Sequence, residues 1–146
     1  MAIFLLKKSY QVSNQKEIGF KDLWGSHGVF TTIRLLGKPG KLILFKSHFK
    51  GLIKSLKKYK IYSKNIETNI KRLIYSSINK NINYDHLFRI ALTKKFISIS
   101  IRKRLKPKKN FELKIINYKR IDPLTKNLYY KKILKELNKY DSSKID

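Results

Sequence analysis

The chain contains no cysteine, which excludes disulfides and any metal site built on thiolates. Acidic residues are scarce: nine Asp and Glu stand against 35 Lys and Arg, a formal net charge of +26 in 146 residues. A field of that sign attracts phosphate polyanions or an anionic membrane surface. AT-rich coding, visible in the abundance of Lys, Asn, Ile and Tyr, accounts for many of the lysines but not for the shortage of Glu. Long apolar runs are missing too. The run at the start, MAIFLLKKSY, stops at Leu6, too short for the core of a signal peptide, and no later run approaches the roughly 20 apolar residues of a membrane helix. The expectation is a soluble protein of the cytoplasm or an organellar matrix. His27, His48 and His86 are far apart and lack ligand spacing such as i, i+4, so no metal site is expected.

What is present suffices for one folded domain. The length fits a single domain, and an apolar share of 42% with eight Phe and nine Tyr can fill a core. Ala2 to Leu6 is strand-like, and Tyr10 to Val12 belongs to a short early strand or a turn. From Val29 to Leu36 two faces alternate, Val29, Thr31, Ile33 and Leu35 on one side and Phe30, Thr32, Arg34 and Leu36 on the other, which predicts a strand. Gly37, Pro39 and Gly40 break it, and Leu42 to Phe45 are expected to return as its partner. Ser47 is a candidate N-cap for a helix whose apolar stripe is Phe49, Leu52, Ile53 and Leu56. A second helix, capped at Asn65, carries Ile66, Ile70, Leu73 and Ile74. After a polar loop at Asn79–Asn83, strands are predicted over Leu87–Leu92, Phe96–Ile101 and Phe111–Tyr118, with a basic turn around Pro107. In Phe96–Ile101, Ile97, Ile99 and Ile101 share one face and Ser98 and Ser100 the other. Tyr130, Ile133, Leu134 and Leu137 fall at helical spacing, and Asp141–Ser143 leads into a polar tail. The sum is an α+β domain: an antiparallel sheet with two to three helices packed on it.

Few constellations in this pattern carry chemistry by themselves. Asp22, Asp85 and Asp122 are ordinary turn and cap residues as readily as converging carboxylates. Gly37-Lys38-Pro39-Gly40-Lys41 lacks the spacing of a phosphate loop and reads as a hairpin turn. Two basic clusters are denser than the rest. One comprises Lys54, Lys57, Lys58 and Lys60, with Tyr59 and Tyr62 interleaved. The other comprises Arg102, Lys103, Arg104, Lys106, Lys108 and Lys109. Such clusters are either solvated faces of a basic domain or the footprint of RNA or another polyanion. They define the alternative function, a ribosome- or nucleic-acid-associated binding protein. Neutralising six phosphates would give a log–log salt slope of roughly −5 on duplex DNA.

The segments Trp24–Ile61 and Arg120–Leu137 carry a resemblance. Gly28, Phe30 and Arg34 on a strand, then His48, Leu52 and Ser55 at a helix start, then Arg89, and finally Pro123, Lys126 and Leu128 before a helix follow a family pattern in order. Over residues 24–137 the chain resembles the N-terminal domain of class IV pyridoxal-phosphate enzymes, the branched-chain aminotransferases and aminodeoxychorismate lyases. The resemblance implies a transferase or lyase reaction, amino-group transfer or pyruvate elimination, through a cofactor-stabilised carbanion. It makes Lys126 the catalytic and cofactor-binding residue, the amine that forms the Schiff base with pyridoxal phosphate. Read by itself, Lys126 is one solvated lysine among many. By resemblance Arg34 and Arg89 would bind a substrate carboxylate through their guanidinium forks; otherwise they are strand arginines facing solvent. Trp24 lines a pocket or anchors the core, and His48 packs or caps.

Three positions depart from the family. Tyr129 stands where asparagine is usual. Gly51 stands where an arginine grips the cofactor phosphate, and Lys50 or Lys54 would replace it without its fork geometry. The third is the end at Asp146, where the family continues into a second domain holding a carboxylate for the pyridine nitrogen and most phosphate donors. The expectation is therefore a first domain, inactive alone, completed by a homodimer or by a separate second-domain chain.

Overall fold

The alternation at residues 29–36 becomes a ten-residue strand, and its two faces are treated differently by the fold. The computed structural model describes residues 3–105, 115, 117–137 and 139. In chain order the elements are β1 (Phe4–Gln11), β2 (Glu17–Ile18), β3 (Gly28–Gly37), β4 (Lys41–Leu42), α1 (Phe45–Lys58), α2 (Ile66–Ser76), β5 (Tyr84–Thr93), β6 (Phe96–Lys103) and α3 (Lys131–Leu137). The strands form one sheet in the order β2-β1-β6-β5-β3-β4, antiparallel at every pairing. This is the α+β architecture expected from the sequence.

Register sorts the side chains. Ile33 lies opposite Phe88 and Phe88 opposite Ile101, while on the other face Thr32 lies opposite Arg89 and Arg89 opposite Ser100. The first set joins Val29, Leu35, Ile90, Leu92, Ile97 and Ile99 in an apolar layer. The stripes of both helices close over that layer: Phe49, Leu52, Ile53 and Leu56 from α1, and Ile66, Ile70, Leu73 and Ile74 from α2. Period 3.6 meeting period 2 in one apolar layer is the physical reason the two kinds of element pack.

Several boundaries differ from the sequence reading. β4 ends at Leu42, and Phe45 opens α1 instead of closing a strand. Leu44, at φ 54, takes the left-handed conformation and turns the chain into the helix, a conformation that leucine gives no reason to expect. Ser47 therefore lies inside the first turn and is not the N-cap. Asn65 does occupy the N-cap of α2, but its side chain makes no capping hydrogen bond. The early strand is one continuous element running through Lys7, Lys8 and Ser9, because pairing with β6 outweighs the polar residues. Ser98 and Ser100 are buried like the isoleucines between them. Of the expected strand Phe111–Tyr118, only Ile115, Asn117 and Tyr118 are described, and none of the three is in a strand. Pro107, Lys106, Lys108, Lys109 and the tail at 141–143 lie outside the described residues.

The second face of the sheet is covered by loops. Leu23, Ala91 and Leu128 form a small apolar cluster with Trp24, Phe30 and Phe96 packed on it. Trp24 is thus a partly buried anchor, 5.0 Å from Phe30 and 5.6 Å from Tyr130 between ring centres. Among the described residues, no helix is long and apolar enough to cross a membrane.

Candidate functional site

β4 covers only one end of the outer edge of β3. The other end is filled by the turn that precedes α3: Phe30 donates its N–H to the Lys126 carbonyl (2.9 Å), and Leu128 donates to the Gly28 carbonyl (3.0 Å). Gly25 N–H in turn reaches the Leu128 carbonyl at 2.8 Å. Gly28 permits this approach, since a Cβ there would stand 2.3 Å from the Leu92 carbonyl oxygen and 2.6 Å from Leu128 Cδ1. The residue type at position 28 thereby fixes where Lys126 sits.

Side chains clasp the same turn to the end of α1. Lys58 Nζ donates to Asp122 (2.7 Å) and to the Thr125 hydroxyl (3.2 Å), and the Tyr59 hydroxyl donates to the other Asp122 oxygen (3.2 Å). These donors, Lys58 foremost and Thr125 next, hold the Asp122 carboxyl below the usual carboxylate range. The Asn127 side-chain amide donates to the Ile121 carbonyl at 2.7 Å. His27 stacks on Tyr59 and lies 2.6 Å from the Tyr129 hydroxyl.

Between α1, the start of β3 and this turn lies an open cleft of about 390 Å³, within the usual size of small-ligand sites. Ser47, Gly51 and Ser55 recur at i, i+4 and i+8 along α1 and form one wall, with His48, Lys54 and Lys58 beside them. Thr31 and Phe30 make the floor, and Thr125 and Lys126 the opposite wall. No carboxylate is among the described residues that line it. His48 Nδ1 lies 3.2 Å from the Thr31 hydroxyl. Burial first, and the Lys126 charge second, lower the His48 pKa, which favours the neutral ring. The cleft thus combines an exposed primary amine, ammonium and hydroxyl donors and a neutral imidazole: a set suited to a small anion with an electrophilic carbon.

Sequence-predicted residues separate into two groups. Lys126 and Gly51, far apart in sequence, share the cleft with His48 and Ser55. Arg34 and Arg89 do not line it. Arg34 projects from the other face of β3, as a diagonal neighbour of Arg89 across the β3–β5 ladder, and pairs with Asp85 at 3.4 Å. Arg89 pairs with Asp22 at 3.8 Å and stacks 4.6 Å over the Trp24 ring. Burial lowers the Arg89 pKa, and Asp22 opposes that shift. Lys50 lines the outer side of α1 instead of the cleft. The basic clusters also divide: Lys54, Lys57 and Lys58 lie on α1, whereas Arg102 shares the second sheet face with Arg89. Lys60 follows α1 at positive φ, and Lys103 and Arg104 lie at the end of β6 and just beyond. Ser47, Thr31, Thr125 and the Lys58–Asp122–Tyr59 clasp were not anticipated; Asp122 before Pro123 was the one available hint of a structured turn. Among the described residues, no cluster of His, Asp and Glu could hold a metal. Comparison with protein families and with curated proteins finds no match to this chain.

Proposed function

We propose that this chain is a class IV pyridoxal-phosphate enzyme-like domain whose cleft forms half of a cofactor site, with Lys126 as the residue of covalent attachment. The single observation supporting the reading is convergence. The stretch from His48 to Ser55 and the Pro123–Leu128 turn carry the resemblance separately, and both line one cleft. The residues present fit two ends of the cofactor. Lys126 offers a primary amine for the aldehyde end. Ser47, Lys54 and Lys58 offer donors for a phosphate dianion, as dispersed point charges and a hydroxyl where the family has an arginine, while the Ser55 hydroxyl already donates to the Gly51 carbonyl. No described residue lining the cleft fits the pyridine nitrogen, which in this reading is the task of a second domain or a partner chain.

When bound, pyridoxal phosphate supplies an electron sink that stabilises a carbanion, the basis of amino-group transfer or pyruvate elimination. The Phe30–Lys126 backbone hydrogen bond and the Asp122 clasp fix the backbone of the turn that carries Lys126, whose amine-bearing side chain is exposed. His48, with its pKa lowered, is a neutral partner for a proton on that amine or on Thr31. The cleft is open, so water exclusion also falls to the completing domain or chain, and the domain alone is expected to be inactive.

The experiment is saturable labelling with pyridoxal phosphate, borohydride reduction and peptide mapping. The expected result is one label per chain on Lys126, lost in Lys126→Ala. Label spread over many surface lysines, unchanged in Lys126→Ala, would overturn the reading. Gly51→Arg sharpens it, because an ideal Cβ at position 51 meets nothing within 4 Å. An added guanidinium fork is expected to tighten cofactor binding by about tenfold.

A further inference from the structure

On its outer side α1 contributes to a second concavity, which among the described residues shares only Lys54 with the lining of the cofactor cleft. It is a groove of about 740 Å³ between α1 and α2. Phe45, Phe49, Ile53 and Tyr75 form its apolar surface. Phe45 bridges the helices, with its ring 5.4 Å from Phe49 and 5.9 Å from Tyr75. Tyr75 is 60% exposed, and Leu44, next to Phe45 in the chain, is 72% exposed. Phe49 and Ile53 belong to the core and form the floor, so the open part of the strip is Tyr75 and the partly buried Phe45; aromatic side chains left this open beside a well-filled core mark a contact surface.

Charge identifies the occupant. Lys46, Lys50, Lys57 and Lys71 stand around the apolar strip, with Glu67 the acidic residue of the lining, and Glu67 already accepts a hydrogen bond from Tyr62 at 3.0 Å. A second copy of this chain would bring the same lysines and another +26 to the contact, which opposes self-association. A nucleic acid would need open aromatic faces for its bases, but Lys71 sits 5.0 Å over the Phe49 ring. A membrane surface suits protruding side chains better than a concave strip. α1 has 14 residues, so the groove runs for about 20 Å, the length over which a helical ligand places anchors at i, i+3 or i+4, and i+7.

We infer that this groove docks an acidic amphipathic helix of a protein partner, its apolar side chains on Phe45 and Tyr75 and its carboxylates on the rim lysines. The inference is independent of the cofactor reading.

The probe is a fluorescent amphipathic peptide of about 16 residues with leucines at i, i+3 or i+4, and i+7 flanked by glutamates, measured by anisotropy at about 0.15 M salt. Binding in the micromolar range is expected. Tyr75→Ser and Phe45→Ser should each weaken it by about tenfold, as should the double reversal Lys46→Glu, Lys50→Glu. Unchanged melting curves would establish that these variants fold. The same peptide with lysine flanks should not bind. Failure of the acidic peptide to bind at about 100 µM overturns the inference. So does binding indifferent to Tyr75 and Phe45, which would be charge alone. Displacement of the peptide by poly(U) or by phosphatidylglycerol vesicles, with binding of either lost in Tyr75→Ser, would reassign the groove to RNA or to a membrane.

Discussion

The two faces of the sheet are held by different physics. On the helix-covered face, β3, β5 and β6 present Val29, Phe88, Ile90, Ile99 and their neighbours, each 0–1% exposed, to the stripes of α1 and α2. Its stability comes from apolar area removed from water and is spread over many residues. On the other face the sheet is mixed: Ser9, Ser98, Ser100, Thr32 and three arginines, Arg34, Arg89 and Arg102, stand beside the small apolar cluster around Ala91. The covering there is loop, attached by specific hydrogen bonds. The Lys21 N–H donates to Ser9 Oγ (2.9 Å), Ser9 and Ser98 Oγ lie 2.7 Å apart, and Ser98 Oγ donates to the Lys21 carbonyl (2.8 Å). These bonds form a closed ring in which the Ser9 and Ser98 hydroxyls are both used. The candidate cleft lies at the rim between the two regimes, with one wall on the helix layer and the other on a loop clipped to the edge of β3.

Phe88→Ala, at the centre of the dry face, is expected to cost about 3–5 kcal/mol of unfolding free energy in a denaturant titration. A cost as small as that of a loop substitution would erase the distinction between the faces. Gly28→Ala, at the clipped edge, is expected to cost about 2–3 kcal/mol, because the new methyl must displace backbone as well as Leu128. It should also speed hydrogen exchange at the Leu128 amide, which donates to Gly28; unchanged exchange would show that the clip does not hold the turn. Ser98→Ala opens the hydroxyl ring and leaves the Lys21 carbonyl short of a donor. The expected loss is about 1 kcal/mol, with faster exchange at the Lys21 amide and little change in the amides of β5.

The smallest effect concerns pH. The folded-state pKa of His48 is lowered, by burial and then by Lys126, so the unfolded chain takes up the proton first. The resulting stability is present above the ordinary histidine value of about 6.5 and is lost as pH falls from there through the lower folded value. His48→Gln should flatten the stability-versus-pH curve in that window. Lys126→Ala should flatten it less, since burial is the larger cause. An unchanged slope in both variants would place His48 in water.

Legibility followed the same division. The stripes of α1 and α2 and the alternation of β3 were readable because burial on one side imposes a period. The burial of Ser98 was not, because it depends on a loop that lies 77 residues earlier in the chain. The start of α1 was misplaced at Ser47, since Leu44 gives no local sign that it turns left-handed. At the site, the residue types of Lys126, His48, Gly51 and Ser55 were visible in the sequence. That Arg34 and Arg89 leave that group for the opposite face became visible once the β3–β5 register was known.

The sequence by itself determined the periodicities, and with them which helix and strand faces are apolar, the α+β class and the large positive charge. These are local or additive properties, fixed by residue type and spacing. The tertiary structure alone decided which lysines share a cleft, which serines are buried, and that an apolar groove remains open between α1 and α2. Those outcomes depend on strand register and loop docking, set by contacts between residues distant in the chain that no local pattern encodes.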